Sequence, residues 1–159
     1  MLSIITKLIF RALSWPFRLI WRLTEQKVYP AGKPFNMREP LVIDGDTLYH
    51  DGIKIRVWGI DAPEMSEPTG PAAKAYMKKL VRYRNIYVVP RDVDKYGRIV
   101  AELFCGRGDL GRSMVEDGYA LSWGNRYPRE EKRARRKKLG LWKFGPITDP
   151  ALARQRTSA

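Results

Sequence analysis

The sequence predicts an α+β domain, a small β-barrel carrying helices. Three observations point there: short β-branched runs separated by Asp-Gly turns, helical patterns between and after them, and 44% hydrophobic with 30% charged residues in 159. Residues 41–43, 47–50 and 53–60 read as strands, broken at Asp44-Gly45 and Asp51-Gly52. The second break is a hairpin turn, which also accounts for the lone His50. Gly70-Pro71 opens a helix to about 82, with Pro in its first turn and Ala72, Ala75, Tyr76 and Leu80 as its apolar face. Residues 85–90 and 98–104 form two strands around an Asp94–Gly97 turn, and 110–117 a short helix ended by Gly118. Residues 119–123 are extended. A basic helix over 129–139 stops at Gly140, where Leu141 and Trp142 return as an apolar clamp.

The ends differ from this core in charge. The net charge of +13 divides into +5 over residues 1–37, zero over 38–125 and +8 over 126–159. Basic ends suit nucleic acid or anionic lipid, and a solvated helix face is the plainer reading of the second. Residues 1–23 predict an amphipathic, strongly hydrophobic helix. Lys7, Arg11, Arg18 and Arg22 would fall within an arc of roughly 60° at about 100° per residue. That pattern suits a membrane surface or a signal-anchor. A spanning helix would carry Arg11 near its centre, Arg18 and Arg22 argue against a cleaved signal, and packing on the chain's own core competes with all of these. Pro-rich residues 24–40 read as a linker, 41–143 as the folded domain and 144–159 as a tail. The expected location is membrane-associated, in the cell envelope or exported.

One cysteine, Cys105, excludes an internal disulfide and a cysteine-rich zinc site, and one histidine argues against a histidine-metal nuclease or a Ser-His-Asp hydrolase. What remains is a set of carboxylates and arginines beside strands. Asp44 and Asp46 are two apart and point the same way in a continuous strand, with Gly45 allowing close approach. Paired carboxylates favour a neutralising cation, and oxygen ligands favour Ca²⁺ or Mg²⁺ over zinc. Asp61 and Glu64 follow a hydrophobic strand, with Pro63 stiffening the turn. Arg56 lies on a strand and Arg98 at a turn, and an arginine's planar fork can grip a phosphate with two bonds. Together they match phosphodiester hydrolysis. The plain alternatives are Asp-rich turns, a solvated Arg56 and a surface ion pair of Arg98 with Asp94.

In this order the segments resemble the staphylococcal-nuclease-like (thermonuclease) family. They are Ile43-Asp44-Gly45-Asp46-Thr47, Arg56, Asp61-Ala62-Pro63-Glu64, the Gly-Pro-x-Ala-x-Ala-x-x-Lys-Lys-x-Val run from Gly70 to Val81, Asp94-Lys95-Tyr96-Gly97-Arg98, and Lys137-Lys138-Leu139-Gly140-Leu141-Trp142. The resemblance covers about 41–143. It implies a five-stranded OB-like β-barrel with helices and a Ca²⁺-dependent nuclease that cleaves DNA and RNA with little sequence selectivity, leaving 3′-phosphate ends. Asp46 and Asp61 resemble the Ca²⁺ carboxylates, with the Ala62 backbone carbonyl as a further ligand and Asp44 as a supporting acid. Glu64 resembles the general base, Arg56 and Arg98 the phosphate-gripping pair, and Lys95 and Tyr96 the nucleotide contacts. The prototype has Thr at the position of Ala62, and Trp123 and Tyr127 are the candidates for its nucleotide-pocket tyrosines. The competing functions are a non-catalytic OB-type module binding nucleic acid or protein at a membrane, and a membrane interaction protein that uses the barrel as scaffold.

Overall fold

The computed structural model describes residues 32–106 and 108–144. The helix expected over 1–23, the first part of the 24–40 linker and the tail beyond 144 lie outside the described residues. Among those described, no helix is long and apolar enough to cross a membrane.

The chain runs β1 (Phe35–Arg38), β2 (Leu41–Val42), β3 (Thr47–His50), β4 (Ile53–Val57), β5 (Ile60–Asp61), α1 (Gly70–Val81), β6 (Asn85–Val93), β7 (Ile99–Cys105), β8 (Gly108–Asp109), α2 (Leu110–Glu116), β9 (Leu121–Ser122), α3 (Pro128–Arg136) and a 3₁₀ turn at Gly140–Phe144. The main sheet has the order β1-β6-β7-β4-β3-β2, with β8 on β7, and β5 pairs with β9 as a separate ribbon. All main-sheet ladders are antiparallel except β4 with β7.

Two expectations change here. The domain begins before 41, because residues 35–38, assigned to the linker, pair with β6 and bury Met37. Only that one residue of the strand is buried, which is why its sequence looks like linker. The expected five-stranded barrel is a curled, open sheet among the described residues. Its two edge strands, β1 and β2, are nevertheless consecutive, so residues 35–42 touch both edges. Glu39, at φ 49°, and Pro40, which has no amide proton, separate the two ladders. Counted as two halves of one strand, they reduce the seven strands of the main sheet to six, one of which is the two-residue β8.

The core lies between the curled sheet and α1 and α2. Alternation places Ile55 and Val57 of β4, Ile86 and Val88 of β6, and Ala101 and Leu103 of β7 inward, each nearly inaccessible. Each large side chain buried there contributes roughly 1.5–3 kcal/mol. Helix α1 adds Ala73, Met77, Leu80 and Val81, not the predicted Ala72 and Ala75, which face solvent. The stripe is turned because Ala73 meets the Gly45 loop. Tyr76 is half-buried, stacked on Tyr119 with ring centroids 4.3 Å apart. The terminal clamp forms as expected: Leu141 and Trp142 pack with Leu121 and Ala134, and the Leu141 amide donates to the Gly118 carbonyl at 2.7 Å.

Candidate active site

The loop between β2 and β3 closes on itself. The amides of Ile43 and Asp44 both donate to the Thr47 carbonyl, at 2.9 and 3.3 Å, and the Asp46 amide donates to Asp44 Oδ1 at 3.0 Å. Such a carboxylate-to-amide bond is the usual reason aspartates occupy turns. Gly45 is required by space: a Cβ there would lie 2.6 Å from the Ala62 Cβ and 2.9 Å from the Ala73 Cβ. The absent side chain lets the Asp44–Asp46 loop press against both the Asp61-Ala62 segment and α1.

That contact brings Asp46 to Asp61 across Arg56. Arg56 sits opposite Thr47 in the β3–β4 ladder. Its Nη1 meets Asp46 Oδ2 at 2.9 Å, and its Nη2 donates to Asp61 Oδ1 at 3.1 Å. Asp46 Oδ1 accepts from the Thr47 hydroxyl at 2.9 Å and Oδ2 from the Ala62 amide at 3.3 Å. Asp61 is fixed by strand β5, where it faces Leu121. Both carboxylates are buried, while a quarter of the Arg56 side chain remains accessible.

Burial pushes the Asp46 carboxyl up to about 7, with Asp44 adding to the rise; Arg56 and the bonds from Thr47 and Ala62 pull it back only in part. Burial works against the Arg56 charge as well, but Asp46 and Asp61 overcome it and hold the guanidinium above its ordinary value.

The remaining predicted residues lie outside this contact set. Glu64 is exposed on the loop after Asp61. Its amide donates to Glu67 Oε2 at 3.0 Å and its carbonyl accepts from the Glu67 amide at 2.9 Å. Gly70 fixes that loop, since a Cβ would stand 1.9 Å from the Glu64 carbonyl oxygen. Arg98 makes the ion pair with Asp94 that the sequence allowed, Nε to Oδ2 at 2.7 Å, but half-buried and not at the open surface. Burial opposes the Asp94 charge, yet the bonds from Arg98 and Tyr96 hold its carboxyl below the usual range. Lys95 and Tyr96 are exposed on the same turn, with the Lys95 ammonium 5.1 Å and the Arg98 guanidinium 5.4 Å from the Tyr96 ring centre. In the parallel β4–β7 ladder Arg56 pairs with Val100, so Arg98, two residues earlier, stands on the same side of the sheet.

Tyr127 is not a pocket tyrosine. It is 2% exposed and its hydroxyl donates to Asp109 Oδ2 at 2.8 Å, whereas Trp123 is half-exposed. Sequence reasoning also passed over Thr47, whose place next to Asp46 was a signal, and Glu67, whose role depends on the fold of its loop.

The donor set fits a hard divalent cation in chemistry, being oxygen throughout. Asp61 Oδ2 is buried with no hydrogen-bond partner among the described residues, and a bound cation is the simplest relief for such an atom. Among the described residues, no three His, Cys, Asp or Glu side chains form a complete cage, so two carboxylates would share the ion with backbone and water.

A family profile described as staphylococcal nuclease homologue matches residues 54–144, which hold Arg56, Asp61, Glu64 and Arg98. The chain belongs to that family. It is similar to a micrococcal nuclease of Shigella flexneri, 31% identical over 143 residues that cover 76% of this chain and 81% of that one. An uncharacterized endonuclease of Escherichia coli is 31% identical over 126 residues, covering 72% and 82%. A probable staphylococcal-like nuclease of Oryza sativa subsp. japonica is 30% identical over 102 residues, and this chain spans 28% of its length.

Proposed function

We propose that the protein is a Ca²⁺-dependent nuclease that hydrolyses phosphodiester bonds of DNA and RNA with little sequence selectivity. The observation that carries this reading is Arg56 fixed between two buried carboxylates, with Asp61 Oδ2 left open beside it. Asp46 and Asp61 would hold the cation, with the Ala62 carbonyl and Asp44 in support. Bound there, Ca²⁺ would neutralise the carboxylates and offset the charge of the phosphate.

The chain's own groups do the rest. Arg56 spends one N–H on each aspartate and a third on the Ile60 carbonyl at 3.5 Å, and of five keeps two to donate to a phosphate oxygen. Asp94 holds Arg98 by Nε, which leaves both terminal amino groups for a paired grip on the same phosphate. Glu64 accepts a proton from water as its oxygen attacks phosphorus, and the bond to the 5′ oxygen breaks as that oxygen takes a proton from solvent, leaving a 3′-phosphate and a 5′-hydroxyl. Lys95 and Tyr96 contact the nucleotide. Residues 2–23, apolar and basic, are the part we assign to an anionic membrane surface.

Incubating the full-length protein with single-stranded DNA in Ca²⁺ or in chelator tests the reading. Fragments with 3′-phosphate ends are expected in Ca²⁺ only. Binding without cleavage in both conditions would support the non-catalytic module instead.

A further inference from the structure

A cluster around Trp58 carries a role that the reaction above does not use. Arg126 stands over one part of the Trp58 ring with its guanidinium carbon 4.5 Å from the ring centre, and Arg91 lies 5.4 Å from it. Both arginines are tied to one carboxylate: Arg91 Nη2 to Glu102 Oε2 and Arg126 Nη2 to Glu102 Oε1, each at 2.8 Å. Glu102 is 6% exposed by side chain, against 49% for Arg91 and 40% for Arg126. The anchor is thus buried and the two cations reach solvent, with Asp109 a further acid near Arg126.

Its position in the sheet gives the cluster meaning. Arg56 and Val100 share one side of the β4–β7 ladder, and Trp58 and Glu102 follow two residues further along each chain. The Trp58 amide donates to the Ala101 carbonyl at 2.8 Å, which keeps the register one step past β4. Val89 lies opposite Glu102, so alternation puts Arg91 on this side as well, and the bulge between Pro90 and Asp92 brings Asp92 opposite Val100. Arg98, then Arg56, then the Trp58 cluster therefore form a row, with the last pair about 7 Å apart along the strand. That is close to the spacing of neighbouring phosphates in an extended single strand.

We propose that Arg91 and Arg126, oriented by Glu102 and the Trp58 face, form a second phosphate subsite for a single-stranded polynucleotide. The subsite would take the nucleotide next to the scissile one, a role that rests on the nuclease reading above. Guanidinium groups placed over an indole and tied to a buried carboxylate are restrained in orientation, and their remaining planar N–H donors match phosphate oxygens. Nothing in the cluster reads a base edge, so contact here is sequence-tolerant.

Arg91→Gln and Arg126→Gln, made separately, each leave the other arginine on Glu102 and so keep its charge paired. With each full-length variant, KM is measured on a long single-stranded oligonucleotide and on a dinucleotide. In a Glu64→Gln background, anisotropy of a labelled oligonucleotide gives the dependence of Kd on salt. KM for the oligonucleotide should rise several-fold more than for the dinucleotide, and each substitution should lower the salt slope by about 0.7. Equal changes on both substrates with an unaltered slope would make the cluster a structural ion-pair network and overturn the proposal. If the unmodified protein cleaves neither substrate, the nuclease reading fails, and the salt slope alone decides the subsite.

Discussion

Arg56 and Arg98 stand on the same side of one sheet, yet they are held in opposite ways. Arg56 lies on a strand, its terminal nitrogens committed to two buried carboxylates. Arg98 lies at the end of a solvent-facing turn, held by one aspartate through Nε. The first is part of the fold's electrostatic balance as well as of the proposed site; the second is tied to one turn and enters only through the proposed site. The same substitution should therefore have different consequences at the two positions.

Arg56→Ala should have the largest effect. It removes phosphate stabilisation, with a fall in turnover of about 10²-fold or more. It also leaves Asp46 and Asp61 buried without their cation, costing about 3 kcal/mol, which chemical denaturation would measure. Unchanged stability would mean that the pair contributes nothing to folding. Arg98→Ala should lower turnover by a similar factor but cost less stability, about 1 kcal/mol, since it breaks one half-buried pair and leaves Asp94 its bonds from the backbone amides of residues 96 and 98. A large loss of stability there would erase the contrast.

The carboxylates sharpen the comparison through pH. With its pKa raised to about 7, Asp46 favours the folded state when protonated. Its contribution is therefore present below the ordinary carboxylate range, near 3.8, and lost as pH rises through about 7. Melting curves in chelator should show stability falling over that window. Ca²⁺ should reverse the trend at the upper end, with tighter binding as the proton leaves, and Asp46→Asn should flatten the slope.

The smallest effect concerns the basic helix. Two of its arginines are already occupied: Arg133 pairs with Glu116 at 2.8 Å, and the Arg135 guanidinium covers Trp142 at 4.2 Å. Arg136, Lys137 and Lys138 are exposed and remain for nucleic acid. Replacing those three with Gln should lower the salt slope of single-strand binding by about 2, with activity at low salt little changed. An unaltered slope would reduce the run to a solvated face.

Much of this was legible in the sequence because alternation and turn residues are local signals. β3, the Asp51-Gly52 turn, α2 with its Gly118 stop and the Leu141–Trp142 return all stand where their residues predict. β1 was not, since a strand with one buried residue carries no pattern. The face of α1 was misplaced by one position because the contact with Gly45 that turns it is 28 residues away in sequence. In the site, the acids and arginines were visible as residue types. That Arg56 bridges Asp46 and Asp61, and that Glu102 ties two arginines to Trp58, depends on strand register, which composition and spacing do not encode. Tyr127 was misjudged because an aromatic beside a proline looks the same whether its hydroxyl meets solvent or Asp109.

The central claim, that these groups hydrolyse a phosphodiester bond with Glu64 as base, is tested most directly by Glu64→Gln. Glu64 is exposed and only its backbone takes part in the loop's hydrogen bonds, so the variant keeps the fold. Cleavage of single-stranded DNA in Ca²⁺ should fall by about 10²-fold or more while the melting temperature and oligonucleotide Kd stay within error. Near-unmodified turnover in that folded variant would contradict the mechanism.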